Sequence, residues 1–159
     1  MTLTAIAQRL VELDIKIPTA SAPVANYVGF TITEKTIFIS GQLPIIDGKI
    51  SFIGKVGESI STEQAKEASK YCAINVLAQL QSACNSKNIT LDDIKQCVKL
   101  SIFINAEPNF TQHSEVANGA SDLMVKIFGE KGKHIRASVG CGSLPFGVAV
   151  EVEAIFQIN

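Results

Sequence analysis

Apolar residues Leu3, Ile6, Leu10 and Leu13 recur at spacings of three, four and three, which predicts one apolar face of a short helix ending before Pro18. The small-residue stretch from Pro18 to Pro23 reads as a linker into a first strand near Tyr27 to Thr33, with Glu34-Lys35 as the turn after it. Thr36 to Ser40 is β-branched and aromatic. Asp47-Gly48, set between two apolar runs, has the chemistry of a type I′ hairpin, because both residues tolerate positive φ. Ser61 with Gln64 three residues on forms a capping box, so a helix is predicted from there. Ala65, Ala68, Cys72, Val76, Leu80 and Ala83 follow at helical spacing, and this alanine-rich stripe lets the axis lie close to a sheet. That helix is expected to stop near Asn85.

Leu91 to Ile94 suggests a single turn, after which Val98, Leu100, Ile102 and Ile104 alternate with Lys99, Ser101 and Phe103 as in a strand with one buried face. A second long helix is expected after Pro108, with Val116, Ala120, Leu123, Ile127 and Phe128 as its stripe and Gly129 and Gly132 as its end. A last hairpin is predicted from Ile135–Gly142 and Val148–Ile158, with Val148, Val150, Val152, Ala154, Phe156 and Ile158 on one face and Glu151 and Glu153 on the other. The order of hairpins, helix, strand, helix and hairpin predicts an α+β sandwich, both long helices covering one side of a mostly antiparallel sheet. Strands apolar on both faces need a second cover, which subunit association would supply.

At 159 residues, with no Pro-, Gly- or Ser-rich divider, the chain is read as a helical extension (1–18) followed by one domain (19–159). A 47% hydrophobic fraction against 18% charged residues exceeds what a lone domain usually hides and again points to an oligomer. A net charge of −1, from 14 basic and 15 acidic residues without clustering, gives no electrostatic footprint for nucleic acid. No window suits a membrane span or a secretion signal. Cys72, Cys84, Cys97 and Cys141 sit in apolar segments without CxxC spacing, so reduced thiols in a cytoplasmic protein are expected. His113 and His134 lack companions at ligand spacing. They are read as solvated loop residues, and no metal is expected.

No nucleophile elbow, phosphate loop or Cys–His pair is present, so candidate chemistry rests on isolated charges. Arg136, at the start of a strand, could clamp a carboxylate through two parallel donors, or could form a surface or intersubunit ion pair. Glu151, in an otherwise apolar strand, could activate a water, or could hold a helix or a neighbouring subunit.

Ser40-Gly41-Gln42-Leu43-Pro44, the strand ending Phe103-Ile104, Arg136-Ala137-Ser138-Val139, Leu144-Pro145 and Val150-Glu151-Val152-Glu153-Ala154-Ile155 together resemble the RidA/YjgF imine deaminases, known by the older name L-PSP endoribonuclease family. The order is kept, the spacing from Arg136 to Glu151 is gapless, and the similarity runs from about Tyr27 to Gln157. The resemblance implies a bacillus-type chorismate-mutase-like fold: a mostly antiparallel six-stranded sheet with two long helices on one face. It further implies a homotrimer with a barrel-like core and clefts between subunits. The implied activity is hydrolysis of 2-aminoacrylate- or 2-iminobutyrate-type enamines and imines to 2-keto acids and ammonia, without metal or cofactor.

In that scheme Arg136 binds the carboxylate of a small substrate, Glu151 and the Ser138 carbonyl hold the attacking water, Gly41 gives a backbone amide, and Tyr27 and Ser40 line the cleft. The chain departs from the family pattern at His134-Ile135, where Pro-Ala is usual, and at Ser138, where cysteine is usual. A helix asparagine of the family falls at Asn118 or Ser121. These departures and the N-terminal segment mark a divergent subgroup. A non-catalytic carboxylate-binding or regulatory trimer is the alternative, and an endoribonuclease, with 6% aromatic residues and no basic stripe, is disfavoured.

Overall fold

The computed structural model describes residues 3–159. Helix α1 (Ala5–Glu12) is capped by the Thr4 hydroxyl, which accepts from the Ala7 amide. It packs beside the third helix, and its half-buried Ile6 and Leu10 lie against the core. Asp92 accepts from the Ile6 amide at its N-terminal end, where the helix dipole favours a carboxylate. The first strand, β1 (Phe30–Thr33), begins three residues later than the apolar pattern suggested, because residues 24–27 form bends.

Strand β2 (Thr36–Gln42) pairs with β1 through the Glu34-Lys35 turn. The Asp47-Gly48 hairpin joins β3 (Ile45–Ile46) to β4 (Lys49–Ile50), with φ of 49° and 76° at the two turn residues. Helix α2 (Thr62–Ser86) starts on the expected box: Ser61 Oγ accepts from the Gln64 amide, and Gln64 accepts from the Ser61 amide. A one-turn 3-10 helix (Leu91–Asp93) leads into β5 (Ile94–Asn105), and α3 (His113–Phe128) ends at Gly129 with φ 60°. Strands β6 (Ile135–Cys141) and β7 (Val150–Ile158) complete the chain.

The main sheet has five strands in the order β1-β2-β7-β5-β6. The expected sixth strand is a separate two-stranded ribbon, β3–β4, because the ladder between β2 and β7 shifts register after Ile39 and Pro44 offers no amide to continue it. The predicted closing hairpin is also corrected. β6 pairs parallel to β5, while β7 pairs antiparallel to β5 on its other side, so the two last strands never touch through hydrogen bonds. β5, α3 and β6 instead form a β–α–β crossover, the connection that a parallel pair requires.

Helix α2 lies over β2 and β7, and α3 lies over β5 and β6, both on one face as expected. Ile37, Leu100, Ile102, Ile104, Val152 and Phe156 are fully buried beneath them. One alternation fails: register shifts between Ile94 and Gln96 and between Cys97 and Lys99 turn Cys97, rather than Val98, into the core. Gly119 lets the helices close in, since a Cβ there would stand 2.0 Å from the Lys66 carbonyl oxygen. The opposite face, with Phe38, Phe103 and Ile155, is uncovered in one chain, and the edge strand β6 exposes Ile135 and Val139. No described helix is long and apolar enough to cross a membrane.

Candidate functional site

Two separate clusters hold the candidate residues. The first is a cavity of about 500 Å³ at the bulged end of β2, walled by Ser40, Gly41, Gln42, Glu151 and Tyr27 with Pro145 and Phe146 across its mouth. The bulge places consecutive residues Ser40, Gly41 and Gln42 along this wall. Ser40 turns inward, its amide and its hydroxyl both donating to the Gly29 carbonyl at 3.0 Å. The Gln42 amide, almost fully buried, donates to the Ser40 and Gly41 carbonyls and holds the bend.

A carboxylate occupies the space that a side chain at residue 41 would need. A Cβ on Gly41 would stand 2.0 Å from Glu151 Oε1, so glycine at this position admits Glu151 to the cavity wall. Burial pushes the Glu151 carboxyl above the ordinary carboxylate range, and the like charge of Glu153 adds to the effect. A half-buried carboxyl so raised can both take and return a proton. Phe146 stands at the rim with φ 56°, a left-handed conformation that costs a non-glycine residue energy and tends to occur where function requires it. On the far wall Gln79, buried on α2, donates to the Ser21 carbonyl at 2.9 Å and so ties the N-terminal segment to the cavity.

The second cluster surrounds Arg136 on the edge strand β6. Its NH1 donates to Asn118 Oδ1 at 2.8 Å and to Ser121 Oγ at 3.0 Å, and its NH2 donates to the Ser114 carbonyl at 3.3 Å, all on α3. Of five N–H donors, three are used, leaving Nε–H and one hydrogen on NH2. Among the described residues Arg136 enters no ion pair, so this half-buried cation is oriented by neutral acceptors alone. Both positions considered for the helix asparagine, Asn118 and Ser121, touch the guanidinium.

The two clusters do not meet within one chain. Register pairs Arg136 with Leu100 and Ser138 with Ile102, both helix-face residues, whereas Glu151 pairs with Phe103 on the other face. With β5 standing between β6 and β7, Tyr27, Ser40, Gly41 and Glu151 come together while Arg136 and Ser138 stay apart from them.

Sequence reasoning missed several partners. His134, read as a solvated loop residue, has both ring nitrogens engaged, Nδ1 with the Gly132 carbonyl and Nε2 with Ser121 Oγ. His113 opens α3 half-buried, its ring edge-on to Phe110 at 5.2 Å. Gln42 and Gln79 carried only one signal, a polar side chain inside a motif or on a helix stripe, and that pattern is more often solvated. The cysteines behave as small hydrophobes in part: Cys72, Cys84 and Cys97 are buried, burial pushing Cys84 up to about 11 and Cys97 up to about 12, while Cys141 is half-exposed.

Comparison with known proteins gives a consistent result. The family described as YjgF/chorismate mutase-like, whose description also carries a provisional endoribonuclease label, matches residues 7–154. Protein TCP17 of Trypanosoma cruzi is 43% identical over 155 residues, covering 97% of this chain and 94% of that protein. The solved structure of Atu1372, a protein of unknown function from Agrobacterium tumefaciens, is 42% identical with a TM-score of 0.88, covering 97% of this chain and 92% of its own. A structure from Shewanella oneidensis, provisionally labelled an endoribonuclease, is 28% identical with a TM-score of 0.92 over 98% of this chain and 100% of its own. The match beginning at residue 7 brings most of the segment read as an extension within the family's span.

Proposed function

The chain belongs to the YjgF/chorismate mutase-like family, and from that premise we propose that it hydrolyses enamines and imines of the 2-aminoacrylate and 2-iminobutyrate type to 2-keto acids and ammonia. The observation that carries the reading is the state of Arg136: a half-buried guanidinium, without a carboxylate partner among the described residues, that keeps two N–H groups free. A substrate carboxylate fits such a fork through charge-assisted bonds.

Copies of the chain would complete the site. The uncovered face bearing Phe38, Phe103 and Ile155 supports a homotrimer with its sheets at the core, in which β6 of one subunit meets the Gly41–Glu151 cavity of the next. The reaction needs orientation more than force, because the C=N carbon is already electrophilic. Glu151 and the Ser138 carbonyl hold a water. As its oxygen bonds to that carbon, Glu151 takes one of the water's protons and passes it to the nitrogen, which receives the C=N electron pair, giving an amino alcohol. The hydroxyl of that intermediate then gives up its proton, which Glu151 carries to the nitrogen, and as the C–N bond breaks ammonia leaves and the carbonyl of the keto acid forms. The Gly41 amide faces the developing charge, and Tyr27 and Ser40 shape the cleft.

The test is keto-acid release from freshly generated 2-iminobutyrate by wild type and Arg136→Ala. Loss of two charge-assisted bonds is expected to lower kcat/KM by on the order of 10²- to 10³-fold. Unchanged activity in Arg136→Ala overturns the reading. A second reading, carboxylate binding without turnover, is favoured by the separation of Arg136 from Glu151 within one chain. Keto-acid binding without release of product from the imine would select it. RNA cleavage that survives in Arg136→Ala would place the endoribonuclease activity elsewhere.

A further inference from the structure

Arg136 is held by a directional chain of hydrogen bonds anchored four residues before it, at Gly132. The Gly132 carbonyl can only accept, so His134 Nδ1, at 2.6 Å, carries a proton. With the ring in that Nδ1–H tautomer, Nε2 is a bare acceptor, 2.9 Å from Ser121 Oγ. Ser121 has one hydroxyl proton, and this contact uses it, which turns the oxygen's lone pairs toward Arg136 NH1 at 3.0 Å. Each group in the run from Arg136 through Ser121 and His134 to Gly132 donates to the next.

The far end is rigid. A Cβ on Gly132 would stand 2.2 Å from the Met124 carbonyl oxygen, so the backbone that carries the accepting carbonyl is pressed against α3. The near end has little else to orient it. Without His134, the Ser121 hydroxyl could turn its proton to a carbonyl of its own helix and reorient its lone pairs, leaving Asn118 and the Ser114 carbonyl as the fixed acceptors of Arg136.

We propose that His134 and Ser121 are positioning residues that set the direction of the Arg136 fork, and so determine how tightly this chain holds the carboxylate of its substrate. The proposal rests on the reading of Arg136 as the carboxylate clamp. His134 touches neither substrate nor reacting atoms; it acts through Ser121. Because the fork grips the carboxylate equally before and during the attack on the C=N carbon, its loss falls on KM and leaves kcat in place.

The experiment compares wild type, His134→Leu, His134→Gln, Ser121→Ala and the double variant Ser121→Ala/His134→Leu with 2-iminobutyrate as substrate. Titration calorimetry with 2-oxobutyrate serves as a readout that needs no turnover. His134→Leu is expected to raise KM and the 2-oxobutyrate Kd about five- to ten-fold with kcat held within about two-fold, the size of one lost hydrogen bond. His134→Gln, whose amide can donate to Gly132 and accept from Ser121, should restore both values. The double variant should be no weaker than Ser121→Ala alone, since both act through one chain. Wild-type KM and Kd in His134→Leu, no rescue by glutamine, or fully additive losses in the double variant would each overturn the proposal. If His134→Leu does not fold, His134→Ala, which removes the ring without adding a branched side chain, takes its place in the same comparison with His134→Gln. Full activity in Arg136→Ala would instead refute the clamp reading itself, whereas loss there with an unaffected His134→Leu would refute only the positioning role.

Discussion

Gly41→Ala separates fold from chemistry. The backbone at Gly41 does not lie at positive φ, so alanine is sterically acceptable to the chain itself. Its methyl would stand 2.0 Å from Glu151 Oε1, 2.9 Å from Cδ and 3.2 Å from Cγ, and relief to an ordinary contact of about 3.4 Å requires the carboxylate to move by about 1.4 Å. The obstructing atoms are the end of a half-buried side chain that can turn, so the stability cost is expected to stay within about 1 kcal/mol. Catalysis is less forgiving, because displacement of a positioned group by about 1 Å can cost about 100-fold. Steady-state keto-acid release should therefore show kcat reduced on the order of 100-fold, with the 2-oxobutyrate Kd near wild type and a thermal midpoint lowered by a few degrees at most. Wild-type kcat in Gly41→Ala would refute the role of Glu151 at this wall. Global unfolding would refute the claim that the carboxylate, rather than the backbone, gives way.

The raised Glu151 carboxyl predicts an acid limb in kcat/KM above the ordinary carboxylate range, because the base form exists only above the raised value. Glu153→Gln removes the like charge and should move that limb to lower pH; a limb that stays put refutes the coupling. The stability linkage has the opposite slope. The folded state binds the Glu151 proton more tightly than the unfolded chain, so this contribution is complete below the unfolded pKa and is lost as pH rises through the folded one, which Glu151→Gln should flatten in pH-dependent melting. Gly119→Ala puts a methyl 2.0 Å from the Lys66 carbonyl oxygen of α2, a backbone atom that cannot turn aside, and denaturant titration should show a loss of about 2–3 kcal/mol despite the better helix propensity of alanine. Phe156→Ala opens the centre of the core, where the ring is fully buried and lies 6.2 Å from that of Phe128, and should cost about 3–5 kcal/mol by the same method.

Features whose cause lies within a few residues are legible in the sequence by itself. The Ser61–Gln64 box, the Asp47-Gly48 turn, the Gly129 stop and the stripes of α2 and α3 all rest on local hydrogen bonding or on a period of 3.6, and all are present. The alternation of β7 likewise separated Val150, Val152 and Phe156 from Glu151 and Glu153. Alternation names the residues that share a face but not the strand that lies alongside, since it is the same for parallel and antiparallel neighbours. The parallel pairing of β6 with β5, and the insertion of β7 between β2 and β5, were therefore decided by where α3 and the loops carry the chain. The bulge that turned Cys97 inward and left Val98 half-exposed depends on a partner strand, and no periodicity within one strand can report it. The candidate site divides in the same way. Motif order and spacing single out Gly41, Arg136 and Glu151 as residues, but only the tertiary structure seats Glu151 against Gly41, places Arg136 on the opposite face, and gathers Asn118, Ser121 and His134 around its guanidinium. Those contacts join side chains from separate elements, and packing rather than local sequence sets the distances between them.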